Sequence, residues 1–206
     1  MSIYENHILP HVIHFLCSTE PAQKQRQKVI PQAEGRVLEV GMGSGLNLPF
    51  YNRDKVEFIW GLEPSEGMRR KAQKNLRAAD IHVDWLDLPG EEIPLDDNSA
   101  DTVVLVYTLC TIPDWARALE QMRRVLKPGG KLIFCEHGLA PDPSPRKWQD
   151  RLNPVWKKIA GGCHLNRQIP VLLEQGGFRI KDMEADYVEE MPRFAGYTYR
   201  GSAGKA

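Results

Sequence analysis

Hydrophobic and polar positions along the chain follow two rhythms. Short apolar runs recur at 36–40, 56–62, 81–86, 101–107 and 131–135, bounded by glycine, proline or acidic residues. Runs without strict alternation are the mark of strands buried on both faces, and the VVLV at 103–106 is the clearest. Between the runs the period lengthens to that of a helix. Residues 65–79 form one, and Asp114 caps another whose buried side carries Trp115, Leu119, Met122 and Val125 or Leu126, ended by Pro128-Gly129-Gly130. A helix at 168–175 precedes a closing antiparallel hairpin, 178–187 with 194–200, and a small polar tail expected to be disordered.

The N-terminal 35 residues precede the first strand. Ile8, Val12, Phe15 and Leu16 recur at helical spacing, which predicts an amphipathic helix starting near Pro10. A second helix at 21–30 is rich in Gln, Lys and Arg, the composition of a solvent face. His7, His11 and His14 share one side of the first helix, and they read as a polar stripe, since metal-like spacing alone has a high false-positive rate. Residues 141–167 interrupt the alternation of strands and helices. There Trp148, Leu152, Val155, Trp156 and Ile159 make an aromatic helical face, with Pro154 kinking or restarting the helix.

Composition narrows the function class. The 206 residues suit one domain with a large core. The 27 basic and 27 acidic residues balance and no basic run stands out, which argues against nucleic acid as a partner. Cys17, Cys110, Cys135 and Cys163 lie far apart without a C-x-x-C pair, so no metal site is expected and the thiols suit a reducing cytoplasm. Cys110 reads as a small buried apolar residue. No stretch predicts a transmembrane span or a signal peptide.

The chemistry concentrates at 39–45, EVGMGSG, directly after the first strand. Gly41, Gly43 and Gly45 remove Cβ atoms where the chain bends and a ligand must approach, and 46–51 reads as the start of a short helix. Leu46 stands where a dinucleotide G-x-G-x-x-G would need its last glycine, and Glu39 precedes the turn. An acid there suits a ligand with an ammonium and no phosphate. Glu63, at the tip of the second strand, is placed for two ribose hydroxyls, with Pro64 and Met68 at the start of the next helix. Val106, Tyr107 and Thr108 end the fourth strand, at the carboxyl edge where open α/β sheets bind ligands. Glu136-His137-Gly138 ends the fifth, and His137 fits either a general base or donor, or a group bonding loop carbonyls.

These signatures, in this order and spacing, resemble the class I S-adenosylmethionine-dependent methyltransferases from about residue 25 onward. DLPGEEIPLDDNSADTVVL (87–105) is similar to that family's third signature, which implies that Pro89, Gly90 and Glu91 touch the adenine, and RRVLKPGGKLIF (123–134) to its helix, turn and fifth strand. The resemblance implies one α/β domain over 1–206, a doubly wound Rossmann-like sheet of seven strands with an antiparallel final hairpin. It further implies an N-terminal helical lid (1–30) and a helical insertion (141–175) on the acceptor side. The expected cosubstrate is S-adenosyl-L-methionine, held by Glu39, Gly41, Met42, Gly43, Ser44, Gly45, Asn47, Glu63, Pro64, Met68, Pro89, Gly90, Glu91, Val106, Tyr107 and Thr108. His137 and Tyr107 are the catalytic candidates.

The second half resembles the mammalian alkyl thiol methyltransferases, through Glu136-His137, through Gly162-Cys163 with Leu165 and Arg167, and loosely through the ending. It departs from them at the N-terminus, which lacks their hydrophobic anchor, so no stable membrane insertion is expected. The expected acceptor is a small molecule, a thiol or sulfide. A quinone, a phenol or a phospholipid amine is the alternative, as is a cofactor-binding protein without turnover.

Overall fold

The computed structural model describes residues 4–206. A π-helical turn, Tyr4–Ile8, leads into α1 (Leu9–Cys17) and α2 (Glu20–Val29). Then follow β1 (Gly35–Val40), β2 (Val56–Leu62), α3 (Glu66–Ala79), β3 (Val83–Leu86), β4 (Ala100–Val106), α4 (Trp115–Val125) and β5 (Leu126–His137). The chain closes with α5 (Pro143–Ile159), α6 (Ile169–Gln175), β6 (Phe178–Tyr187) and β7 (Tyr197–Lys205).

The seven strands make one sheet in the order β3-β2-β1-β4-β5-β7-β6. β3, β2, β1, β4 and β5 are parallel, and β7 inserts antiparallel between β5 and β6. The apolar runs bury both faces of the sheet. Leu38, Val40, Leu105 and Phe134 pack with α4 and α6 on one side, and Val37, Ile59, Val104 and Ile133 pack with the end of α2 on the other. The strand order reverses between β1 and β4, so the crevice outside their carboxyl ends is where a ligand belongs. Among the described residues no helix is long and apolar enough to cross a membrane.

Several boundaries and faces differ from expectation. The helix expected at 46–51 is a single 3-10 turn, Leu48–Phe50, so no long helix carries amides toward the glycine turn. Ser65 caps α3, accepting from Met68 N, and Asp114 caps α4, accepting from Arg117 N. The tail expected to be disordered is strand, with Ser202 and Ala203 buried in β7. Of the expected apolar face only part turns inward: Ile8 and Phe15 are 50% and 72% exposed, Leu16 reaches a cavity, and Leu9, Pro10, Ile13 and Cys17 turn toward the crevice. On α2 the expected solvent face buries Gln25 and Arg26.

Candidate functional site

The glycine turn is held open by its own backbone. Gly41, Gly43 and Gly45 all have positive φ, and a Cβ on Gly41 would overlap the Thr108 side chain. Gly41 N and Met42 N donate to Leu62 O at 2.8 and 3.1 Å, tying the turn to β2. Glu63 braces it from the far side: one carboxylate oxygen accepts Gly43 N at 2.9 Å, the other Ser65 N at 2.8 Å. Burial pushes Glu63 above the usual carboxylate range, and those two amides pull it back.

Behind the turn runs a buried polar chain. Arg26 Nε donates to Asn47 Oδ1 (2.9 Å), Asn47 Nδ2 to Glu39 Oε1 (2.9 Å), and the Tyr51 hydroxyl to Glu39 Oε2 (2.6 Å). Glu39 is only 1% exposed, and burial pushes it up to about 7 against these donors. The guanidinium of Arg26 also donates to Cys17 O and lies 5.1 Å from the centre of the Tyr107 ring.

In front of the turn is a cavity of about 210 Å³. Ten of the expected cofactor residues line it: Gly41, Met42, Gly43, Ser44, Asn47, Glu63, Met68, Val106, Tyr107 and Thr108. Glu39, Gly45, Pro64, Pro89, Gly90 and Glu91 are not among its lining. Glu39 sits behind Asn47, and Gly45 closes the turn by donating to Met42 O. Gly90 packs against Val40 and Ile112, and Glu91 accepts Asp114 N at 3.2 Å. The opposite wall comes from α1, which the motifs do not mark. His14 Nδ1 and Ser44 Oγ are hydrogen-bonded at 2.8 Å, so α1 is tied directly to the turn. The histidine stripe divides: Lys71 reaches His11 at 3.0 Å, while His7 is exposed.

A second cavity, of about 510 Å³, adjoins the first. Ile13, Cys17, Tyr107, Thr111 and Ala160 line both. Its other walls are mostly apolar, with Leu16, Ala22, Trp156, Leu165, Met191 and Phe194 among them. Of the insertion's tryptophans only Trp156 takes part. Trp148 is 52% exposed beneath the Arg151 guanidinium, and Val155 and Ile159 are also exposed. The aromatic face of α5 thus contributes one residue, Trp156, to this cavity.

The loop between the two cavities hangs on Glu136. This residue is fully buried at the end of β5, and it accepts Thr108 N at 2.6 Å, Leu109 N at 3.0 Å and Cys110 N at 3.3 Å. Burial pushes it up to about 7, opposed by the amides. Those bonds, with Tyr107 N donating to Cys135 O, hold Tyr107 at φ 54°, a left-handed conformation costly for a bulky residue. The Tyr107 hydroxyl has no hydrogen-bond partner among the described residues, and burial pushes the phenol well above its ordinary value.

His137 stacks beside Tyr107, ring centres 6.5 Å apart, and its Nε2 lies 3.2 Å from Cys163 Sγ. Burial pulls its pKa down, but Cys110 and Glu136 outweigh that and raise it. Cys110 is buried as expected, yet its sulfur lies 3.6 Å from that of Cys163. Cysteines far apart in sequence therefore meet in space, which spacing alone could not reveal.

A switch-point crevice, a glycine turn braced by two acids, and an adjoining apolar chamber define a site for an S-adenosylmethionine-type ligand. A family model described as "Methyltransferase domain" matches residues 38–134. The rat protein named "Thiol S-methyltransferase TMT1B" is 34% identical over 73% of this chain and 63% of its own length. The human "Thiol S-methyltransferase TMT1A" is 30% identical over 82% of this chain and 72% of its own. A Thermotoga maritima structure titled as a SAM-dependent methyltransferase, possible histamine N-methyltransferase, shares the fold, with TM-score 0.67 and 22% identity over 99% of this chain and 98% of that one. The chain belongs to the class I S-adenosylmethionine-dependent methyltransferases. It spans about two thirds of the length of the thiol methyltransferases it matches.

The residues fit that cosubstrate. Three glycines leave backbone where side chains would obstruct, and the cavity lining carries the Arg26 guanidinium, bonded to Asn47, together with the Glu63 carboxylate. S-Adenosyl-L-methionine, carrying both a carboxylate and an ammonium, matches that mixed charge.

Proposed function

We propose that this chain transfers the methyl group of S-adenosyl-L-methionine to the sulfur of a small, apolar thiol or to sulfide. The observation that carries the reading is the chamber of about 510 Å³, whose walls are largely apolar and, among the described residues, carry no lysine or arginine. Such a chamber disfavours phosphorylated acceptors and suits an alkyl group. The printed names of the rat and human relatives support the same acceptor class.

In this reading Arg26 meets the methionyl carboxylate, Asn47 with Glu39 behind it meets the ammonium, and Glu63 accepts from the ribose hydroxyls. Tyr107 and Thr111 form the wall between donor and acceptor. An acceptor thiolate sulfur approaches the methyl carbon in line, about 3–3.5 Å away in a productive complex. The new sulfur–carbon bond forms as the sulfonium–carbon bond breaks, and that electron pair leaves on S-adenosylhomocysteine. A free thiol is already a few per cent thiolate near neutrality, so positioning supplies most of the catalysis.

The N-terminal segment through residue 30 acts as a lid, since α1 and α2 side chains line both cavities; residues 1–3 of that segment lie outside the described part. The insertion, 141–175, closes the acceptor side through Trp156 and Leu165. The four free cysteines suit a reducing compartment such as the cytoplasm, and the balanced charge suits a small-molecule acceptor over nucleic acid. Incubation with labelled S-adenosylmethionine and a panel of alkyl thiols, sulfide, a demethylated quinol and an amine headgroup tests the assignment. S-methyl products are expected. Turnover of the quinol or amine without any S-methyl product would reject the thiol reading and leave the cosubstrate untouched.

A further inference from the structure

Three potential ligand atoms converge in the wall of the apolar chamber. Cys110 Sγ, Cys163 Sγ and a ring nitrogen of His137 all lie within 4.8 Å of one another, on three separate segments of the chain. We propose that they form a binding site for a soft divalent metal, zinc being the natural occupant, with its fourth position open to the acceptor. The proposal deepens the thiol reading above and rests on it for the identity of the fourth ligand.

Two of the three separations lie near those a tetrahedral ion requires. With zinc–sulfur near 2.3 Å and zinc–nitrogen near 2.0–2.1 Å, tetrahedral angles put two sulfurs about 3.8 Å apart and sulfur and nitrogen about 3.6 Å apart. The two sulfurs are 3.6 Å apart, and Cys163 Sγ is 3.2 Å from His137 Nε2. Those two separations need to widen by only about 0.2 and 0.4 Å, and Cys110 Sγ lies within 4.8 Å of the His137 ring nitrogen.

The three segments are also held in place. Glu136 fixes the loop of Cys110 through three backbone amides. His164 N donates to Cys110 O at 2.9 Å, tying the segment of Cys163 to that loop. Cys163 N donates to Ala160 O at 3.1 Å, at the turn after α5 where Gly161 and Gly162 have positive φ. His137 ends β5, whose ladder to β7 runs through His137 itself. Its Nδ1 is buried and has no partner among the described residues, so the ring is not committed to another structural bond.

Charge and access fit the same conclusion. Two thiolates neutralise a divalent cation, with their two protons released to solvent on binding. Two cysteines and one histidine are a known catalytic zinc set, in which the fourth position takes water or substrate. All three side chains line the chamber, so that position faces the acceptor. A thiol entering there would lose its proton to solvent and bind as thiolate. After methyl transfer the product is a neutral thioether, a weaker ligand, and leaves.

The test is a cobalt(II) titration of the full chain, purified under reductant and stripped with chelator. Thiolate ligation should give intense charge-transfer absorption in the near ultraviolet and tetrahedral d–d bands in the visible. Cys110→Ser and Cys163→Ser should each weaken cobalt binding by more than about 100-fold while keeping S-adenosylmethionine affinity, which shows the variants are folded. Cys135→Ser, at a thiol outside the cluster, should leave the bands in place. Adding an alkyl thiol should shift the d–d bands as the fourth ligand changes. A spectrum without charge transfer, bands that survive both serine variants, or a disulfide between Cys110 and Cys163 in the reductant-treated protein would overturn the site. Bands indifferent to the thiol would overturn its open position. The spectra need no turnover, so cobalt bands in a protein that methylates no thiol would reject the acceptor assignment alone.

Discussion

Removing the Glu136 carboxylate should cost more than any surface change, and the structure sets the size. Glu136→Ala leaves the amides of Thr108, Leu109 and Cys110 without their acceptor in a buried loop. At about 1–3 kcal/mol per unsatisfied buried donor, partly relieved by relaxation, the loss is about 4 kcal/mol. For a chain of this size that lowers the melting temperature by about 8–16 °C. Glu136→Gln should cost about 1–2 kcal/mol, because its amide oxygen can still accept from Thr108 and Leu109 and only Cys110 N then faces an NH₂.

The two variants also separate in their pH dependence. Burial lifts the Glu136 carboxyl from an ordinary 4.5 up to about 7 in the folded chain. A raised acid binds its proton more tightly when folded, so its contribution to stability is full below about pH 4.5 and is lost as pH rises through about 7. Thermal unfolding of the parent should therefore weaken across that window more than that of Glu136→Gln. The alanine variant should also bind S-adenosylmethionine weakly, since Tyr107 and Thr108 would no longer be held against the turn. A Glu136→Ala protein melting within about 2 °C of the parent, with unchanged ligand affinity, would show that the carboxylate does not hold this loop.

Other outcomes follow from the cofactor side. Glu63→Ala should reduce S-adenosylmethionine affinity by roughly 10- to 100-fold in a folded protein, measured by calorimetry, and unchanged affinity would remove Glu63 from the site. Gly41→Ala should abolish binding and destabilise the chain, because its Cβ meets Thr108 and φ is +69°; a stable, fully binding variant would contradict the turn's role. Burial lifts Glu39 to about 7, and a bound cation would favour its ionised form. Affinity for S-adenosylmethionine should accordingly rise between about pH 5.5 and 8 with release of a proton, and Glu39→Gln should flatten the rise. A flat or falling profile in the parent would count against the Glu39–Asn47 ammonium site.

What was legible in the sequence is what local pattern controls. The strand runs, the Asp114 cap and the glycines that bend the turn each follow from a few adjacent residues, and all appear in the fold. The helix expected after the turn contracts to one 3-10 turn, with Gly45 at positive φ before it and Pro49 within it. The larger misses are long-range. Arg26 sits in a helix that reads as basic and exposed, yet it is 3% exposed because Asn47, 21 positions away, supplies its acceptor. The inward face of α1 is chosen by the crevice, which takes His14 and Cys17 and leaves Phe15 outside. Cys110 and Cys163 are 53 positions apart, and only the folded sheet brings them and His137 together. For Pro89, Gly90 and Glu91 only the family likeness points to the ligand, and they lie outside the cavity lining.

Donor and acceptor are expected in the adjoining cavities, with Tyr107 and Thr111 between them. The most direct measurement is a crystal structure of the full chain with S-adenosylhomocysteine and a small alkyl thiol. The homocysteine sulfur is expected beside Tyr107, the ribose on Glu63, and the thiol sulfur in the apolar chamber on the line a methyl group would travel. S-Adenosylhomocysteine bound away from the glycine turn, or a thiol found only outside the chamber, would contradict this arrangement.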